Sequence, residues 1–359
     1  VLCARVPPAE VARGAPALAG AVLLASVEVG GQRLAKGLRL DPEQAQLLRD
    51  HAAAGRLAAA LHLGWPEEGD VHEDEAAHRL ALAAGGGGVD LVGPRQSRYD
   101  LVALWDGVLH VRTAPLLAVN AIDPLEVFTL FHGQAVTAGD TIASVKVGPH
   151  LLEGAVLREG LHVARADGPI VEVRPYLPHR VPAIVAGPVE PGTLARFEAA
   201  ARTRLEALGS AFAGAAILPP GDDTAAVERA VGLLRDVASR PDTPLVLVGN
   251  VSAADPASPL CEALVALGGR FVRRGLPAHP GSMIWLAELA RTRFLGLPQC
   301  GMFGLATAAD LVLPRLLTGE ALDAAALAEL AHGGVLGREM RFRFPPYARA
   351  LGEITHGDR

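Results

Sequence analysis

Cysteine and aromatic residues are scarce in this chain, and long uncharged apolar runs are missing. Of 359 residues, three are cysteine and 4% are Phe, Trp or Tyr. Cys3, Cys261 and Cys300 have no metal-ligand spacing and cannot all pair. That argues against a zinc site or a disulfide framework and fits a reducing, cytoplasmic setting. No apolar run approaches the roughly 18 residues that a membrane-spanning helix needs, so no membrane partner is expected. The opening VLCARVPPAEVARG has no basic segment followed by an apolar block, so no signal peptide is expected. Positive charge is not in excess: the formal net charge of −6 argues against a dedicated nucleic-acid surface. What is abundant is Ala, Leu, Val and Gly. Half the residues are apolar, as in an ordinary α/β protein with length enough for two or three domains and an ample core.

The first half divides by texture into an α+β segment, residues 1–90, and a β-rich segment, residues 91–177. Ala21 to Val29 is apolar and β-branched, and Gly30-Gly31 is a hairpin signal. Asp41 as N-cap and Pro42 at the first helical position predict a helix over 42–54, closed by Gly55. Leu57 to Leu63 reads as a strand. A second helix starts at Asp70 or His72, and its acidic first turn, Glu73 to Glu75, suits the positive end of the helix dipole. That acidity with His72 and His78 is ordinary helix chemistry more than a metal site. Gly85 to Gly88 reads as a linker. Beyond it, 101–105, 108–112, 135–136 and 141–147 are strand candidates, and a helix is expected near Asp123-Pro124 within 118–131. Lys146 is either a solvated edge lysine or an anion-binding group.

From about Val181 strands and helices alternate. VPAIVAG, AGAAILPP, LVLVGN and RFVRRG read as strands, with helices over 194–208, 224–239 and 258–267. Asp222, Asp223 and Thr224 stand at the start of the second of these. The pattern predicts an α/β fold whose sheet is mostly parallel, with helices on both faces, in three layers. Phe271 to Leu317 holds two turns, Pro280-Gly281 and Pro298 to Gly301, each beside an apolar run, and a helix is expected over 302–317. Ligands on such sheets bind beyond the carboxyl ends of the strands. Those ends are Gly187 to Gly192, Pro219 to Thr224, Gly249 to Pro256, Gly275 to Ser282 and Pro298 to Gly301. All five carry Gly or Pro, and free backbone N–H groups at such turns bind anions.

Three of these loops carry a resemblance. GNVSAAD (Gly249 to Asp255), AHPGSM (Ala278 to Met283) and GLPQCG (Gly296 to Gly301) follow in the order, spacing and strand context of three motifs in the molybdopterin-binding domain of molybdotransferases and related transferases of molybdenum-cofactor synthesis. Residues 178–335 resemble that domain, a doubly wound α/β sheet, with 336–359 as a tail. LAKG (Leu34 to Gly37) and GDVHEDEAA (Gly69 to Ala77) also look like the front of stand-alone molybdopterin-binding proteins. The departures are specific. Ala186-Gly187-Pro188 stands where the family has Thr-Gly-Asp/Ser-Glu; His279 and Ser282 replace lysines; Gln299-Cys300 replaces Gly-Asn; and the family's C-terminal β-barrel domain is not expected in the short stretch after Gly334.

The resemblance implies a phosphate-bearing pterin ligand, molybdopterin or the finished molybdenum cofactor. Its phosphate would lie on the Gly249, Asn250, Val251 and Ser252 loop, on His279, Pro280, Gly281 and Ser282, and on the turn that starts at Pro298, through the amides of Gln299, Cys300 and Gly301. Asp255 or Asp222 would bind the amino-pyrimidine or act in catalysis, with Asp255 holding Mg²⁺. Each has an ordinary alternative: Asp222 and Asp223 as helix caps, Asp255 as an Asx-turn. Cys300, with no activating neighbour, is not expected to be a nucleophile. Two roles follow. One is a binding or carrier protein serving cofactor-biosynthesis or molybdoenzyme partners; the other is a Mg²⁺-dependent molybdotransferase-like or nucleotidyl-transferring enzyme. A domain that handles another phosphorylated small molecule is the third. Domains of this type often self-associate, so a homo-oligomer is expected.

Overall fold

The computed structural model describes residues 1–95 and 97–349, and the side chain of Cys300 lies outside the description. Among these residues the chain forms two compact units. Unit 1 comprises described residues within 1–104, 110–132 and 138–173; unit 2 comprises 105–109, 133–137 and 174–349.

The first unit opens with β1 (Leu2–Val6), α1 (Pro8–Ala12), β2 (Val22–Leu23), β3 (Val27–Val29) and β4 (Gln32–Leu34). Then come α2 (Pro42–Ala53), β5 (Leu61–Trp65), β6 (Val71–His72), α3 (Glu73–Ala84), β7 (Val89–Arg95) and β8 (Arg98–Ala103). After β9 (Gly107–Val111) follow α4 (Thr113–Asn120), β10 (Leu125–Thr129), β11 (Ala135–Val136), β12 (Thr141–Val147), β13 (Leu151–Leu152), α5 (Gly154–Arg165) and β14 (Val171–Pro175); of these, β11, residues 107–109 of β9 and residues 174–175 of β14 belong to unit 2. β3 and β4 pair antiparallel across Gly30-Gly31, as the hairpin signal predicts. α2 is held at its start by a reciprocal capping box, in which Asp41 Oδ1 accepts from Gln44 N at 2.8 Å and Gln44 Oε1 accepts from Asp41 N at 3.1 Å. Asp41→Ala should therefore cost about 1 kcal/mol in denaturant unfolding, the usual loss for an N-cap carboxylate.

His72 serves α3 as its N-cap. Its Nδ1 accepts from Asp74 N at 3.3 Å, which leaves Nε2–H to donate to Gly37 O at 2.8 Å. Both ring nitrogens are thus committed, and the Leu34 to Gly37 turn is pinned to the start of α3. Glu73, only 6% exposed, places Oε1 2.9 Å from His150 Nδ1.

Three expectations in this unit are corrected. The helix expected near Asp123-Pro124 lies earlier, in α4, and 125–129 is the strand β10. Asn120 makes the switch: its Nδ2 donates to Leu116 O and Val127 O, both at 2.8 Å, while Oδ1 accepts from Val127 N. β10 then pairs along its whole length with β12. Gly85 to Gly88 is not a free linker, because Gly86 N donates to Val171 O and Gly87 O accepts from Val173 N. Lys146 is not on an edge: β12 is an inner strand of the order β10-β12-β8-β7, with Lys146 between Glu126 and Arg98.

Unit 2 is built on β15 (Arg180–Ala186), α6 (Pro191–Ala207), β16 (Ala211–Leu218), α7 (Thr224–Ser239), β17 (Leu245–Gly249) and α8 (Pro259–Ala266). It continues with β18 (Arg270–Arg274), β19 (Trp285–Leu289), β20 (Thr292–Leu297), α9 (Ala309–Leu317), α10 (Ala324–Ala328) and α11 (Pro346–Arg349). The sheet order is β16-β15-β17-β20-β19-β18. The first four strands are mutually parallel, and β19 runs antiparallel to both β20 and β18. Strand residues alternate between two apolar clusters. Val181, Ala183, Leu245, Leu247 and Leu295 pack with α6 and α9; Ile184, Val246, Val248 and Phe294 pack with α7 and α8. Every residue of β17 is buried, as its unbroken apolar run requires of a strand covered on both sides.

The helix expected over 302–317 is corrected as well. Gln299–Met302 is a 3₁₀ turn, residues 303–308 are irregular, and α9 starts only at Ala309. Arg204, from α6, holds this segment open: its Nη2 donates to Phe303 O at 2.8 Å and Leu305 O at 3.0 Å, and its Nε to Asp310 Oδ1 at 2.9 Å. Asp310 Oδ2 accepts from Thr307 N, and Oδ1 also accepts from Tyr347 OH at 3.1 Å. Burial lowers the pKa of Arg204, but the Asp310 carboxylate outweighs it and raises the guanidinium above its ordinary value. Burial pushes the Tyr347 phenol well above its usual range. Residues of the segment read as a tail join the same core, with Leu336, Phe344 and Ala348 buried in the cluster of α6 and α9.

Candidate functional site

The carboxyl ends of β15, β16, β17 and β20 share one edge of the sheet, and β18 ends there too because two antiparallel steps restore its direction. From β15 the chain goes to β16 on one side; from β16 it crosses to β17 on the other. The gap between the ends of β15 and β17 is therefore a topological switch point, where connections leave in opposite directions and a crevice opens.

A cleft of about 440 Å³ lies there. Its walls are Ala186 to Pro188 after β15, Leu218 to Asp222 after β16, Asn250 to Ser252 with Asp255 after β17, and Ser258 to Leu260 at the start of α8. Asn250 ties two of the walls together. Its backbone N donates to Leu297 O at 2.9 Å and its Nδ2 to Ala186 O at 2.7 Å. It does so in the left-handed region, φ 63°, which asparagine tolerates better than other side chains. Ser252 Oγ accepts from Ala254 N and Asp255 Oδ1 from Ala257 N, each at 3.2 Å, so the loop is shaped by its own side chains. Asp255 thus makes the Asx-turn and also faces the cleft. Of the two neighbouring aspartates, Asp223 is the helix cap, accepting from Ala226 N at 2.9 Å, and Asp222 is exposed in the cleft wall. The charged residues of the lining are these two carboxylates, Asp222 and Asp255.

The structure thus brings Asp222, Asn250, Val251, Ser252 and Asp255 into one cavity, with Gly249 buried beneath them against the Met302 methyl group. The other expected residues lie along the same sheet edge but are not in the cleft lining. His279 is exposed, with its N donating to Gly334 O and its O accepting from Leu336 N, each at 2.7 Å. Pro280 O accepts from Ala308 N; Gly281 is buried against Ala308, and Ser282 is half-buried. Pro298 is buried and Gln299 exposed, while Gly301 N is already used by Pro298 O at 2.8 Å. The side chain of Cys300 falls outside the described residues. Ala253 N donates to Met283 O at 3.1 Å and Asn250 N to Leu297 O, so the Gly249 to Asp255 loop is joined to both of the other turns.

The sequence reading missed Ser258, Pro259 and Leu260 as site residues. The Ser-Pro pair that opens α8 was visible, but only as a helix start. The fold brings it back into the cleft because α8 follows the β17 loop directly.

No family model and no curated protein matches this chain. Among solved structures it is similar to the molybdopterin biosynthesis MoeA protein from Pyrococcus horikosii, at 14% identity, covering 72% of this chain and 80% of that one, with a TM-score of 0.28. No residue is carried across at that distance, and the cleft stands on its own geometry. Among the described residues no helix is long and apolar enough to cross a membrane.

Proposed function

We propose that unit 2 is a three-layer, doubly wound domain of the molybdopterin-binding type whose cleft takes a phosphate-bearing pterin, molybdopterin or the molybdenum cofactor. One observation carries the reading. The loop Gly249 to Asp255, one of the three that resemble the molybdopterin-binding domain, is a wall of a cleft at the switch point of the sheet. A volume of about 440 Å³ is within the range of small-molecule sites. The lining suits the pterin edge: Asp222 and Asp255 offer carboxylate acceptors to the N–H groups of an amino-pyrimidine, and Asn250 and Ser252 add neutral polar groups.

In this reading the protein is a binder or carrier that presents its ligand to cofactor-biosynthesis or molybdoenzyme partners, acting as a homo-oligomer. A Mg²⁺ ion brought with the ligand would take Asp255 or Asp222 together with phosphate oxygens, the usual arrangement for that cation. The enzyme role needs that ion; the carrier role does not.

Thermal unfolding with added molybdopterin tests the proposal. Saturation near 100 times Kd should stabilise the protein by about 2.7 kcal/mol and raise its melting temperature. No shift at that excess would remove the pterin from consideration. Asp255→Asn keeps an Asx-turn former and removes the charge, so it should weaken binding about tenfold without lowering the stability of the free protein. Unchanged Mg²⁺-dependent turnover in that variant would remove Asp255 from any catalytic role.

A further inference from the structure

We infer that the cleft holds its ligand by an uncharged, donor-bearing ring and leaves the phosphoryl group out in solvent. The inference rests on the cleft as the pterin site and names the part of the ligand that it grips. An anion is held by cations or by a run of free backbone amides. Among the described residues of the lining there is no lysine, arginine or histidine, and the charged groups are the carboxylates of Asp222 and Asp255. The amides of the loop are mostly spent. Asn250 N and Ala253 N are taken by Leu297 O and Met283 O, and Ala254 N and Ala257 N by the side chains of Ser252 and Asp255. Asp255 N donates to Ser252 O at 3.2 Å and Ser258 N to Asp255 O at 3.4 Å. Pro256 has no N–H, so the stretch from Asn250 to Ser258 keeps two amides for a ligand, those of Val251 and Ser252. The other walls add little: Pro188, Pro219, Pro220 and Pro259 carry no N–H either, and Gly187 N donates to Leu218 O at 3.0 Å.

Acceptors are in excess instead. Asn250 Nδ2 is committed to Ala186 O, so that side chain offers a ligand its amide oxygen, beside the two carboxylates. A phosphate monoester, at about −1.5 to −2 charge near pH 7, is repelled by both carboxylates, whereas the N–H groups of an amino-pyrimidine find acceptors. The same prolines, with Leu218 and Val251, give the apolar walls that suit a flat ring. A phosphoryl group outside the cleft can carry a further substituent, such as a nucleotide, without meeting those walls. It also leaves Asp255 without a Mg²⁺-bridged phosphate to hold, which favours the carrier role.

The chain has two asparagines, Asn120 in unit 1 and Asn250 in the cleft wall. Labelling with ¹⁵N-asparagine therefore gives two backbone amide resonances, a control and a reporter. The probes are the oxidised, fluorescent pterin derived from molybdopterin, with its phosphate and after phosphatase treatment. Both forms should move the Asn250 resonance and leave that of Asn120 in place. Their affinities, read from fluorescence, should agree within about threefold or favour the dephosphorylated form, because no contact to phosphate is lost. A larger preference for the phosphorylated form overturns the inference and leaves the pterin reading standing. If neither form moves Asn250, the pterin reading fails, and guanosine and its 5′-monophosphate, which share the amino-pyrimidine edge, replace them as probes. Guanosine moving Asn250 at least as readily as the monophosphate sustains the inference; a preference for the monophosphate, or no movement with either, overturns it.

Discussion

Asp310→Ala is expected to destabilise unit 2 by about 3–5 kcal/mol, the loss typical when one partner of a buried ion pair is removed. Arg204 is 5% exposed and Asp310 fully buried, so the guanidinium left behind cannot recover its hydration. Two further donors lose their acceptor at the same time, the Thr307 backbone N–H and the Tyr347 hydroxyl. Tyr347→Phe, which removes only a neutral hydroxyl, should cost about 0.5–1.5 kcal/mol. Arg204→Met combined with Asp310→Ala should cost less than the sum of the two single changes, because no unpaired charge remains buried. Urea unfolding with comparison of midpoints and slopes measures the four variants against the parent. A loss below about 1 kcal/mol in Asp310→Ala would mean that the Phe303 and Leu305 carbonyls alone satisfy Arg204.

Gly296→Ala should cost about 2–5 kcal/mol and weaken ligand binding as well. Gly296 lies opposite Trp285 in the β19–β20 pair, and a Cβ there would fall on the indole ring at Cε2, Nε1 and Cδ2. The indole is fully buried and cannot swing into solvent. Its Nε1 donates to Val251 O at 3.0 Å, so any displacement of the ring pulls on the cleft loop. The stability loss combines overpacking with one broken buried hydrogen bond. Gly301→Ala is the control, since its nearest neighbour to a new Cβ, Pro298 Cδ, is 3.6 Å away. A melting temperature for Gly296→Ala matching that of Gly301→Ala would mean that the indole does not cover the strand as described.

The helix starts that carry their own caps were legible in the sequence. Asp41-Pro42 and Asp223 satisfy first-turn amides from within a few residues, so the information is local. β17 was legible for a related reason: an apolar run of strand length between turn signals has few other stable states. The stretch 302–317 was not. Its apolar spacing fits a helix, but Arg204, about a hundred residues earlier in the chain, takes the Phe303 and Leu305 carbonyls and breaks the first half of it. The strand at 125–129 was hidden in the same way, because its hydrogen-bond partners on β12 come after it in the chain.

For the candidate site, the sequence by itself determined the chemistry available: loops of Gly, Pro, Asn, Ser and Asp at the ends of apolar strands. Only the tertiary structure decided which loops meet. Strand order sets that meeting, and strand order depends on crossovers that local sequence does not encode. β17 lies beside β15, so the Gly249 to Asp255 loop shares a cleft with Gly187 and Asp222, whereas the His279 and Gln299 turns lie farther along the same edge. Ser258 shows the same limit at a single residue. Its sequence context marks a helix cap, and only its packed surroundings leave the hydroxyl uncommitted.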